Sequence, residues 1–148
     1  MWAVMIKYKY SFSILAITLL FSLYRAALPV EIIGVHKPGE TLVVVIVKNF
    51  PLTRASKISW WKQHQQQLQE KQPFINSPEN HIILFLQADY KKDSGTDQDS
   101  DLLCFKDMPG EVNCVSKENR PLLISRYPNG HTEYVTENLF QRILRRFY

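Results

Sequence analysis

The pattern of apolar and polar positions changes character near residue 28. From Tyr10 to Tyr24 the chain runs 15 residues without a charge, with Lys7 and Lys9 before the run and Arg25 after it. The run is apolar on every side, so it offers no polar face for a helix of a soluble core to turn to water. Beyond it the pattern becomes short and periodic. "PVEIIGVH" (29–36) and "TLVVVIVKN" (41–49) are rich in Val and Ile and flank "KPGE". They predict a hairpin or two adjacent strands. The second is apolar on both faces, which suits a central place in a sheet.

Pro51 breaks that strand, and Thr53 fits the N-cap of a helix reaching about Lys71. Ala55, Ile58, Trp61, Gln65 and Leu68 recur at steps of three and four, forming one stripe interrupted by Gln65. Lys62, Gln63, Gln66, Gln67 and Glu70 form the opposite face. Neighbours on a helix stand about 100° apart, so the adjacent tryptophans separate. Trp61 joins the stripe, whereas Trp60 lies off it, one turn from His64. The register names Phe50, Pro51, Ile58, Trp61 and Leu68 as structural anchors. Trp60 and His64 become the candidate interaction surface.

"QPFINSPEN" (72–80) reads as a loop and "HIILFLQADY" (81–90) as a strand. "KKDSGTDQDS" (91–100) has no apolar residue and reads as an exposed, mobile loop. Two hairpins follow: "DLLCFKD" and "EVNCVSK" around "MPG", and "PLLISRY" and "HTEYVTE" around "PNG" with its Asn-Gly turn signal. In the last segment, 137–148, Leu139, Ile143 and Phe147 are four apart. They predict a short helix docked on the sheet, in preference to one lying on anionic lipid. The fold class is α+β: an N-terminal transmembrane helix, then a small, mostly antiparallel sheet covered by one main helix. No repeat or linker divides residues 29–148.

The N-terminal run is shorter than the roughly 20 apolar residues of a spanning helix and matches the core of a signal peptide. Cleavage is the poorer reading, however. A cut after Ala27 or Ala26 places Arg25 or Tyr24 where a small residue is needed. The apolar stretch also extends to Tyr8–Val30, with Lys9 and Arg25 snorkelling and Tyr8, Tyr10 and Tyr24 at the interfaces. Residues 1–28 are therefore read as a cytoplasmic stub and anchor, with the inner membrane as partner along 8–28. Residues 29–148 form a periplasmic domain.

Charge adds little. The net charge is +4, but three of the 18 basic residues flank the apolar run and all 14 acids follow it. Removing those three leaves 15 cations against 14 acids, and no basic stripe with interleaved aromatics suggests nucleic acid.

The two cysteines, Cys104 and Cys114, predict a disulfide in an oxidising compartment. A three-residue loop Met108-Pro109-Gly110 sets Asp107 opposite Glu111 and Cys104 opposite Cys114, with Gly110 in the left-handed position. The pair reads as a staple, since no C-x-x-C or adjacent base lowers a thiol pKa. Two cysteines supply half a zinc shell, and His36, His64, His81 and His131 show no ligand spacing with them. Asp97, Asp99 and Asp101 open like a calcium loop, but Leu102 and Met108 stand where Gly and Glu are needed. No metal or cofactor set follows. No G-x-S-x-G, H-E-x-x-H, phosphate-binding or dinucleotide motif appears.

"VEIIGVH", "VKNFPLT", "KISWW", "LLCFKDM" and "VNCV" occur in the order seen in an enterobacterial putative membrane protein family, domain of unknown function 943. The chain resembles that family from the hydrophobic N-terminus to about Lys117; the terminal "NLFQRILRRFY" adds no motif to the resemblance. The resemblance implies a single-pass inner-membrane protein of a Gram-negative bacterium with a periplasmic domain. It implies no activity. The functional expectation is a non-enzymatic interaction module with a periplasmic protein partner, one form being an immunity protein that intercepts a toxin. The alternatives are an envelope glycan or lipid binder using Trp60, and, less favoured, a periplasmic hydrolase.

Overall fold

The structure is a computed structural model that describes residues 2–76, 82–95 and 101–137, with side chains from Tyr10 onward. Helix α1, Trp2–Ala27, is 26 residues long. Within it Tyr10–Ala27 is long and apolar enough to cross a membrane, and none of that window is buried in protein. Two of its hydroxyls bond within the helix: Thr18 donates to the Ile14 carbonyl and Ser22 to the Thr18 carbonyl. A polar side chain that bonds its own backbone in this way is tolerated in lipid.

The domain is built on a five-stranded sheet, ordered β1-β2-β3-β6-β7. Its strands are β1 Glu31–His36, β2 Leu42–Lys48, β3 Ile82–Leu86, β6 Leu122–Arg126 and β7 Thr132–Val135. β1 is antiparallel to β2 and carries a bulge between Ile32 and Gly34. β2 and β3 are parallel, linked by α2, Arg54–Lys71. The other two pairings are antiparallel. A central parallel pair must be covered on both faces, which accounts for the unbroken apolar run from Val43 to Val47, fully buried in the fold. Val43, Val45 and Val47 pack with Phe85, Ile124 and Trp61 under α2. Val44 and Ile46 face the other way, toward Leu86, Phe105 and Val115.

That second face has its own cover, which the sequence analysis did not predict. β4 Leu102–Cys104 and β5 Cys114–Ser116 form a small ribbon. It is tied to the sheet by paired backbone bonds between Lys91 and Cys114 and by one from Gln87 to the Asn119 carbonyl. Cys104 lies opposite Cys114 and the two are joined by a disulfide. The predicted three-residue loop gives way to a longer one. The ladder ends where Phe105 N–H donates to the Asn113 carbonyl, and Gly110 is left-handed at φ 112°. Beyond that point Asp107 bends back to His36 and Glu111 pairs with Lys92, so the two do not face each other.

Thr53 caps α2 by accepting from Ser56 N–H at 3.2 Å. The buried face of the helix is Lys57, Trp61 and Leu68. Ile58 is half-buried and Ala55 exposed, so the stripe is rotated from the predicted one. The cause is the tryptophan pair: Trp60 also packs on the core, which moves the centre of contact toward Lys57. The Lys57 stem serves as apolar surface, while its ammonium donates to the Glu137 carbonyl at 3.0 Å. Phe50 is buried and Pro51 half-buried at the corner leading into the helix. The "QPFIN" loop is a 3₁₀ turn, Pro73–Asn76, that buries Ile75.

In the last hairpin Tyr127 N–H donates to His131 and Gly130 N–H to Tyr127, closing a three-residue loop. Gly130 takes the left-handed position at φ 82°. Pro128 holds a negative φ, which fits this loop and not a two-residue Asn-Gly turn. The predicted C-terminal helix over 138–148, His81, Asp97 and Asp99 lie outside the described residues.

Candidate functional site

Among the described residues, one buried histidine constellation lies under the ribbon and another lines a cleft beside α1. Under the ribbon, His36 is 6% exposed at the end of β1. Its Nδ1 lies 2.8 Å from Asp107 Oδ2, and its Nε2 lies 2.5 Å from the Tyr90 hydroxyl. The carboxylate only accepts, so Nδ1 carries the proton and Nε2 accepts from Tyr90. The ring stacks on Phe105 at 3.9 Å between centroids. Gly34 makes room for this: a Cβ there would lie 2.0 Å from the Tyr90 hydroxyl oxygen. The series tyrosine–histidine–aspartate has the connectivity of a catalytic triad, but its chemistry is closed. Burial, and then the Asp107 carboxylate, push the Tyr90 hydroxyl's pKa upward, so it holds its proton. A phenol so held is no activated nucleophile.

The second constellation is an open cleft of about 860 Å³ where α1 meets the domain. That volume is in the range of small-ligand sites, roughly 300–1,000 Å³. Phe21 and Arg25 from the end of α1 form one wall, and Phe50, Leu52, Trp60 and His64 the other. The corner is sharp because Asn49 adopts φ 54°, a left-handed conformation that Asn tolerates better than most residues. Phe50 then turns into the core and meets Trp60 edge-on at 5.2 Å. Trp60 is half-buried and stacks on His64, with 4.6 Å between centroids.

His64 Nδ1 lies 2.8 Å from the Trp60 carbonyl one turn back. A carbonyl only accepts, so Nδ1–H donates, and neutral His64 keeps an acceptor at Nε2. No described residue bonds that nitrogen. No acidic residue lines the cleft, and Arg25 has no ion-pair partner among the described residues.

The structure thus brings Trp60 and His64, the candidate interaction surface of the sequence, together in a cleft wall, with Trp60 half-buried. Phe50, Trp61 and Leu68 lie in the core beneath. Sequence reasoning missed the part played by Phe21 and Arg25, which it read only as span and snorkelling flank. It also missed the His36 network, whose members come from three segments. Asp93 has a carboxylate oxygen within 4.8 Å of the sulfurs of Cys104 and Cys114. Those sulfurs are bonded to each other and offer no thiolate to a metal.

The profile of the enterobacterial putative membrane protein family, domain of unknown function 943, matches residues 5–143. The chain belongs to this family. The match runs past Lys117, where the recognisable motifs end, and takes in the span, both sheet faces and the cleft. No curated protein and no solved structure matches the chain. The family carries no assigned role beyond that description, so function has to be argued from the site.

Proposed function

We propose that the chain is a non-enzymatic binding module, anchored in the inner membrane by α1 with residues 29–148 in the periplasm, and that the junction cleft is its ligand site. The cleft carries this reading: aromatic walls, a cation and a ring nitrogen that no described residue bonds line one groove where the domain meets α1. Two features support the orientation. Lys7 and Lys9 precede the span, as the positive-inside rule asks of a cytoplasmic flank. The Cys104–Cys114 disulfide suits an oxidising compartment. Binding is favoured over hydrolysis because His36 has both nitrogens committed and no hydroxyl or thiol among the described residues bonds His64 Nε2. A toxin intercepted at the membrane is one protein ligand such a module could take.

The test places a photo-crosslinking amino acid at Leu52, which is 71% exposed in the cleft wall. Tyr24 on the span and Asn129 on the far hairpin serve as controls. After irradiation in living cells, a saturable adduct of protein or lipid at position 52 that neither control gives is the expected result. Equal labelling at all three positions, or none, rejects the cleft as the ligand site. The orientation is checked separately with a membrane-impermeant thiol reagent on intact cells. Cys104 and Cys114 should react only after reduction, and labelling without reduction rejects the periplasmic disulfide.

A further inference from the structure

We infer that the cleft holds a single anionic phospholipid of the anchoring bilayer, its phosphate at Arg25, its headgroup at His64 and an acyl chain against Phe21, Leu52 and Trp60. The assignment rests on the reading of the cleft as the ligand site and names its occupant.

Position is the first argument. The 18 residues from Tyr10 to Ala27 rise about 27 Å as a helix, close to the roughly 30 Å of a hydrocarbon core. Their last turn, with Arg25, therefore ends in the headgroup layer. That same turn is one wall of the cleft, so a lipid reaches the site without leaving the bilayer.

The apolar walls are the second argument. Phe21 is 63% and Leu52 71% exposed, and both line the groove with the half-buried Trp60. A hydrocarbon chain laid there covers the Leu52 and Trp60 surface that stands beyond the span, while Phe21 keeps the hydrocarbon contact it has in the bilayer. Aromatic rings at this depth also favour the interface itself.

Charge is the third. Among the described residues the cleft is lined by a cation and by no acid. Arg25 brings guanidinium donors matched to phosphate geometry. His64 Nδ1 is committed to the Trp60 carbonyl, so neutral Nε2 accepts from a headgroup hydroxyl such as that of phosphatidylglycerol. A neutral detergent or a sugar would leave Arg25 unanswered. An acidic protein segment would answer the charge but would need a hydrophobic side chain at the same depth.

The experiment uses the full chain in nanodiscs of phosphatidylcholine with either brominated phosphatidylglycerol or brominated phosphatidylcholine titrated over the same range of fractions. A Trp2→Phe background leaves Trp60 as the accessible fluorophore, since Trp61 is 1% exposed. Bromine should quench Trp60 at a phosphatidylglycerol fraction at least about tenfold lower than for phosphatidylcholine, the scale of one charge-assisted hydrogen bond. Arg25→Gln with His64→Gln should erase that preference. Native mass spectrometry of the unsubstituted chain, released from detergent, should show one retained anionic phospholipid and needs no variant. Equal quenching by both lipids, or a preference that survives the double substitution, overturns the assignment. A protein adduct at Leu52 without lipid retention also overturns it, while leaving the cleft as the ligand site. No adduct and no retention ends both readings.

Discussion

His36 and His64 each stack on an aromatic ring, yet the two histidines are held in opposite ways. His36 lies on Phe105 and gives one nitrogen to Asp107 and the other to Tyr90, partners 71 and 54 residues away in the chain. His64 lies on Trp60 and, among the described residues, bonds only a carbonyl four residues back on its own helix. The first arrangement joins three segments and closes every valence of the ring, so it fastens the ribbon to the sheet. The second asks nothing of the tertiary fold and leaves a nitrogen facing a cleft. Side-chain chemistry is the same in both places. What separates a fastening from a site is where the ring's partners come from and whether any valence remains.

The largest effect should come from the helix that carries both the core and the cleft. Trp61 is 1% exposed and meets Phe85 edge-on at 5.7 Å. Trp61→Ala should cost about 3–5 kcal/mol in urea denaturation of the detergent-solubilised chain. Trp60→Ala, losing only a half-buried ring, should cost about 1–2 kcal/mol and yet abolish adduct formation at Leu52. Equal costs for the two tryptophans would mean that the cleft wall is simply more core.

The histidines come next. His36→Ala removes two hydrogen bonds and a stacked ring and leaves the Tyr90 hydroxyl without its partner. A loss of about 2–3 kcal/mol is expected. The Asp107 share is small because that carboxylate is 57% exposed. His64→Ala should stay within about 1 kcal/mol of the parent, since its one bond is local. Comparable losses at both positions would dissolve the contrast between fastening and site.

How far these regions were legible in the sequence follows from the range of their contacts. The span, the central β2, the Thr53 cap and the Cys104–Cys114 pairing all rest on spacings within a few residues, and periodicity reports such spacings directly. The ribbon as a second cover and the His36 network depend on where the loop after β3 travels, which no local pattern records. Gly34 is instructive here. As a letter it suggested only an ordinary strand residue. In the fold, a bulge and the absence of a Cβ let the Tyr90 hydroxyl reach His36. The rotation of α2 was missed for a related reason: Lys57 counts as polar by residue type, while its four methylenes behave as core. The cleft was half legible, because Trp60 and His64 were singled out, but Arg25 belonged to the membrane pattern and its meeting with them is tertiary.

The smallest effect is also the most specific to the closed network. Tyr90 keeps its proton more firmly in the fold than its ordinary pKa of 10.0 implies, because burial disfavours the phenolate and Asp107 repels it. The unfolded chain therefore releases this proton first, near pH 10.0. Below that value both states are protonated and the network contributes fully. As the pH rises further the unfolded state binds fewer protons than the native one, so stability falls until the folded hydroxyl ionises too. Tyr90→Phe lacks the hydroxyl and should be less stable at neutral pH by about 1 kcal/mol, one hydrogen bond's worth. The gap between the two proteins should then narrow as the pH climbs past 10.0. Tyr127, whose pKa is raised by its bond to Glu133, is present in both and cancels in the difference. Parallel stability curves for the two proteins through alkaline pH would show that the Tyr90 hydroxyl is free of His36, and the ribbon-side histidine would then be as open as the one in the cleft.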